Sequence, residues 1–326
     1  MGKEAFDRKI EEIRALRSGL AESAEPPLRR ALKDRSNYVV AKAAEVAGEL
    51  QLRSLVADLA AAFERFFRNA GKSDPQCWAK NAVAQALKDL GHSDPAPFLR
   101  GISHVQMEPV WGGREDTAIT LRGICAHALI ACELSGFEVL VHLADLLADP
   151  AGPVRLDAAR AIAQLSIREG VLLLRLKALS GDREPEVIGQ CLASLLSLGP
   201  RDQLPFVERF LESDAPEIRA EAAGALAELH DAAAVEILKH FWQGEKDAAV
   251  RSAVLRFLGA SPEPATAEFL VSIVEEASGR TAAQALSALS GSRHRAQFRD
   301  RVAAVVAEKG DPELARIMDN AWIQDG

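Results

Sequence analysis

The sequence predicts an all-α protein, a single right-handed α-solenoid of about nine helix pairs behind an N-terminal capping helix. Three observations lead there. A short phrase returns along the chain at a near-constant step, each step has room for two helices, and the composition suits closely packed helices. Residues are 48% hydrophobic but only 5% aromatic, with Ala and Leu dominant, which favours helices joined through small side chains over a β architecture.

The phrase is an Asp, a short polar gap, an apolar residue with a base beside it, and then an Ala-rich stretch. It is clearest as "DPAGPVRLDAARAIAQL" from Asp149 and "DAPEIRAEAAGALAEL" from Asp214. Nine occurrences start at Asp34, Asp74, Asp116, Asp149, Asp182, Asp214, Asp247, Ser278 and Asp311, separated by 40, 42, 33, 33, 32, 33, 31 and 33 residues. The first helix of each step is an apolar segment such as "GFEVLVHLADLLAD"; the second is the Ala-rich phrase, opened by an Asp suited to an N-cap. Gly and Pro mark the joints, as in "SLGPRDQ" and "GASPEPAT". One such pair cannot bury its apolar stripe, whereas a stack buries a continuous core.

In chain order, residues 1–22 are expected to form a charged amphipathic capping helix. Residues 23–133 hold three repeats, the second and third enlarged by insertions. Residues 134–326 hold regular repeats that end in a cap, with Trp322 over the last layer. The whole chain, 1–326, is expected to be one solenoid.

The phrase "DPxxxVRxxAAxAL" resembles the HEAT-repeat family, in particular the short bacterial HEAT-like or PBS-lyase-like repeats. The resemblance spans nearly the whole chain and is specific for the fold. It implies that the repeated acids and bases, Asp74 and Lys80, Asp116 and Arg122, Asp149 and Arg155, Asp214 and Arg219, Asp247 and Arg251, hydrogen-bond between neighbouring turns as a structural ladder. That ladder should break at Val40 and Ile188, where the base is missing.

The two long steps are consecutive and carry the unusual residues. In the first, "LRSLVADLAAAFERFFRNAGKSDPQ" reads as a helix lengthened by two turns, with Phe63, Phe66 and Phe67 interleaved with Arg65 and Arg68. In the second, "VQMEPVWGGRED" replaces a short joint. Both additions precede the Asp phrase, so they should share one edge of the solenoid, one layer apart. Insertions in repeats often map to a binding face, and Trp, Phe, Met and Arg are enriched at interface anchors. The expected partner-binding set is Phe66, Phe67, Arg68, Met107, Glu108, Trp111 and Arg114. The competing reading is that the loop folds back and Trp111 is a lid over Phe66 and Phe67.

Catalytic and metal chemistry find no support. There is no His-Glu dipeptide of the kind that resemblance to the deoxyhypusine hydroxylases would require, and the seven histidines are scattered over different layers. His104 and Glu108 alone close no metal shell. "VWGGRED" lacks the strand and the Lys-Ser/Thr ending of a phosphate loop. The net charge of −8 opposes a nucleic-acid groove or an anionic membrane surface. Cys77, Cys125, Cys132 and Cys191 form no CxxC pair and read as reduced, inert thiols. No signal peptide, myristoylation signal or membrane-length apolar run is present, so a cytoplasmic location is expected. The resulting expectation is a non-enzymatic scaffold that binds a partner protein of unknown identity at the aromatic–basic edge, with no cofactor. The alternative is a PBS-lyase-like binder or attachment helper for a planar cofactor. Mixed charges at Arg155, Asp157, Arg160 and Gln164 and at Glu217, Arg219 and Glu221 mark a second surface, read as solvated.

Overall fold

The computed structural model describes residues 3–18 and 21–322, and it is all-α apart from one β-hairpin. The chain divides into two compact units, residues 1–170 and 171–326.

The first unit opens with α1 (Lys3–Ala15) and continues with α2 (Ala21–Ala31), α3 (Asn37–Glu49), α4 (Val56–Arg65), a one-turn α5 (Ala70–Ser73), α6 (Trp78–Asp89) and α7 (Ala96–Ile102). After the hairpin, β1 (Met107–Val110) and β2 (Gly113–Asp116), come α8 (Ile119–Ala128), α9 (Gly136–Leu146) and α10 (Gly152–Leu165). The Ala-rich helices pack on one another in sequence, α3 on α6, α6 on α8 and α8 on α10. Small residues set this close approach: a Cβ built on Gly48 would stand 3.4 Å from the Ala86 backbone.

The second unit holds α11 (Gly170–Ser180), α12 (Pro185–Leu198), α13 (Pro200–Glu208), α14 (Pro216–Glu228), α15 (Ala232–Gly244), α16 (Ala248–Ala260), α17 (Pro264–Glu276), α18 (Gly279–Ser290), α19 (Arg299–Lys309) and α20 (Pro312–Trp322). Here α12, α14, α16, α18 and α20 pack in succession. Trp322 is buried at the end of α20.

The repeated Asp works two residues ahead of the helix more often than as the cap itself. Asp34, Asp116, Asp149 and Asp182 each accept the backbone N–H of the residue two positions on, at 2.8–3.0 Å. These are Asx turns that set the chain's entry into the helix.

The repeated acids and bases make the following bonds. Arg122 reaches Asp116 (2.7 Å) and also Asp149 of the next repeat (3.2 Å). Lys80 pairs with Asp74 at 3.0 Å, both fully buried. Arg155 donates to the backbone oxygens of Asp149 and Pro150. The ladder changes in the second unit. Arg219 forks onto Glu245 (2.6 and 3.0 Å), not onto Asp247, and takes only a backbone oxygen from the exposed Asp214. Asp247 has moved up to the N-cap of α16, accepting from Ala249 and Val250 N–H groups, because its phrase is shorter; Arg251 turns to the Glu245 carbonyl and lies 4.0 Å from the Trp242 ring. At the two repeats without a base, Val40 and Ile188 are buried apolar residues, and lysines from other helices take over: Lys9 pairs with Asp34 and Lys177 with Asp182.

Candidate functional site

The second insertion is not a loop but an antiparallel hairpin, with Met107 opposite Asp116, Glu108 opposite Glu115, Pro109 opposite Arg114 and Val110 opposite Gly113. Trp111 and Gly112 make its turn, and Gly112 takes φ +86°, which a residue with a Cβ resists. A strand therefore does precede the two glycines, although no phosphate-loop helix start follows.

Alternation along the strand separates anchor from surface. Glu108 points inward and is buried. Its carboxylate accepts from the Gln76 N–H (2.8 Å), the Gln76 side chain (3.2 Å), the Thr117 hydroxyl (2.9 Å) and the Gln106 amide. Burial works to raise its pKa, but the hydrogen bonds from Gln106, Gln76 and Thr117 outweigh that and hold it below the usual carboxylate range. Gln106 in turn accepts from Lys80 Nζ (2.9 Å) and donates to the Asp74 carbonyl (2.8 Å). The hairpin thus stands on the buried Asp74–Lys80 pair.

Met107, Pro109 and Arg114 occupy the opposite, exposed face, where Arg114 donates to the Met107 carbonyl at 2.8 Å. Trp111 at the tip is 102% exposed, as open as the free residue. The lid reading is therefore overturned: Trp111 covers neither Phe66 nor Phe67.

The first insertion also differs from expectation. Helix α4 is not lengthened by two turns; it stops at Arg65, and Asn69 adopts φ +55° before the short α5. Phe66 is buried with Arg65 against its ring, and Phe67 is half-buried, covered by Arg100 (4.3 Å), His104 (4.8 Å) and Phe63 (4.9 Å). His104 bonds Gln106 instead of Glu108, and burial pushes its pKa down, so the ring is neutral at neutral pH. Arg68 is exposed. The two insertions do touch, through Phe67 with His104 and Gln76 with Glu108, but Phe66 and Glu108 serve the core and are not available to a partner. Exposure leaves Met107, Trp111, Arg114 and Arg68 as surface candidates. Gln76 and Gln106, which lie within the two inserted stretches, and Thr117, which follows the second, hold the hairpin and carry no sequence signal beyond that position.

The thiols are poor nucleophiles: burial raises Cys77 and Cys132 to about 11 and Cys191 to about 12, and pushes Cys125 higher still. Among the described residues no three His, Cys, Asp or Glu side chains converge as a metal site, and no helix is long and apolar enough to cross a membrane.

On the second surface, Asp157 lies 3.5 Å from Arg160 and its carboxylate overhangs Gly123, as Glu221 overhangs Gly189. Burial, with Glu186 and Glu228 adding repulsion, pushes the Glu221 pKa up. A raised folded-state pKa means stability present below the ordinary Glu range and lost as pH rises through the raised value. Glu221→Gln is expected to raise the melting temperature at pH 7 and to leave it unchanged at about pH 4; equal shifts at both values would show that the carboxylate is not strained.

The family profile described as HEAT repeats matches residues 172–252 and 206–290. No curated protein sequence matches the chain. Similar solved structures include the complex of CpcE and CpcF of phycocyanin lyase from Nostoc sp. PCC7120, 21% identical, covering 79% of this chain and 94% of that one, TM-score 0.36. The YibA protein of Escherichia coli is 14% identical over 82% of this chain and 94% of its own, TM-score 0.43. Human deoxyhypusine hydroxylase in complex with glycerol is 16% identical over 90% and 100%, TM-score 0.26. The HEAT-repeat profile thus falls within the second unit, over residues 172–290, where the chain folds as the paired helices α11 to α18.

Proposed function

We propose that this repeat protein is a non-enzymatic scaffold that holds a partner protein at the hairpin tip, through Trp111 with Met107, Pro109 and Arg114 on the outer face. One observation carries the reading. A fully exposed Trp stands on a short strand pair whose inner face is locked by four hydrogen bonds to Glu108. An exposed indole contributes nothing to folding, while a rigid support spares the ordering entropy that binding would otherwise cost. Trp and Arg are also the residues that most often dominate binding energy at interfaces. A planar cofactor would need a second ring to enclose it, and Trp111 has no ring neighbour among the described residues.

Trp111→Ala tests this. The melting temperature should stay put, since surface substitutions usually fall within about 0.5 kcal/mol. A polypeptide recovered with the wild-type chain from its native cell, and identified by mass spectrometry, should be lost. Recovery of the same polypeptides by both forms would sink the reading, as would a small molecule that leaves with the indole.

A further inference from the structure

A second feature of the first unit lies apart from the hairpin. An open groove of about 660 Å³ runs between α3 and α6, within the volume range of ligand sites. At one end Tyr38 and Trp78 meet edge to face at 5.4 Å, and Trp78 is 50% exposed. The two rings occupy the same slot, four residues after Asp34 and Asp74, where later repeats carry Thr120, Pro153 and Glu186.

The other end is acidic in an unusual place. Glu49 is the last residue of α3, whose last turn has no base, Glu45 lies one turn before it, and Asp89 is the last residue of α6. Carboxylates at helix C-termini sit against the negative ends of the helix dipoles, where cations are favoured. Arg17 and Lys42 meet the α3 acids (Arg17–Glu49 2.8 Å, Lys42–Glu45 2.7 Å). The Asp89 carboxylate accepts from the Gln85 amide at 2.7 Å, the Asp89 backbone oxygen accepts from the Gln51 amide at 3.5 Å, and no cation is paired with the carboxylate among the described residues. Midway, the Oδ1 atom of Asn81 is buried with no hydrogen-bond donor among the described residues.

We propose that this groove binds a short extended segment of polypeptide, laying an apolar side chain on Trp78 and placing an arginine or lysine at the Glu49–Asp89 end. The distance from Tyr38 to Glu49 is roughly 16 Å by helical rise, which about five extended residues span. The excess of carboxylates, reinforced by two helix C-termini, selects a cation over an anion.

The probes are fluorescein-labelled peptides Leu-Ala-Ala-Ala-Arg and Arg-Ala-Ala-Ala-Leu, since the strand direction is open, with Glu replacing Arg as control. Fluorescence anisotropy is read on the full chain. One Arg peptide should saturate, and its affinity should fall at least about tenfold, 1.4 kcal/mol, in Glu49→Gln/Asp89→Asn and in Trp78→Ala. Trp111→Ala should bind it as the wild type does, which keeps the outcome separate from that of the hairpin. If Trp78→Ala melts early, the exposed-carboxylate pair decides. Failure of both Arg peptides to saturate, equal binding of the Glu control, or undiminished binding by the carboxylate variant would overturn the proposal.

Discussion

Lys80→Met should lower stability by about 3–5 kcal/mol, the cost typical of removing one partner from a buried ion pair. Lys80 and Asp74 are both fully buried, and the ammonium group also donates to Gln106 (2.9 Å) and to the Phe66 carbonyl (3.4 Å). Met fills the volume but leaves the Asp74 carboxylate in an apolar layer with only its amide donors, from Ala79, Lys80 and Asn37. Urea denaturation measures the loss. Lys80→Met/Asp74→Asn should recover much of it, because the desolvation cost of the lone charge disappears with the charge. A single-variant loss below about 1 kcal/mol, the range of exposed pairs, would mean that water reaches the site.

Glu108→Ala should affect folding and binding together. It strands the Gln76 N–H and the amides of Gln76 and Gln106, and a buried donor left unmet costs about 1–3 kcal/mol. The hairpin then loses its moorings to the first insertion, so partner capture should fall even though Trp111 is intact. Because hydrogen bonds depress the Glu108 pKa, the stability it contributes is present above the ordinary Glu range and lost as pH falls through the depressed value. The wild type should therefore lose more stability than Glu108→Ala on acidification, which melting curves from pH 7 to about pH 3 would record. A variant that melts like the wild type but no longer captures the partner would place Glu108 in the interface instead.

The seven residues expected at the contact edge divide according to how far away their partners lie. Met107 and Arg114 are exposed because alternation in the hairpin turns them outward, and Trp111 because it sits in the turn, which the glycine beside it suits. Phe66 and Glu108 read as surface candidates for the same compositional reasons, yet both are buried. Nothing adjacent to Glu108 announces that Gln76, 32 residues earlier, presents its N–H to it. The aromatic pair Tyr38 and Trp78 shows the converse. Its shared slot after the Asp is visible in the sequence, but its value as a ledge depends on α3 and α6 lying side by side.

Repetition, helix pairing and the positions of both insertions could be read from residues alone, because each follows from spacings within a few turns of one helix. The strand pair in place of a loop, the early stop of α4 and the turn of Arg219 to Glu245 could not. Each of these hangs on which donors and acceptors meet once water is excluded. A buried polar group is tolerated only where partners distant in the chain converge on it, and that convergence is set by how neighbouring repeats pack. The same exclusion of water that buries Glu108 leaves Trp111 outside.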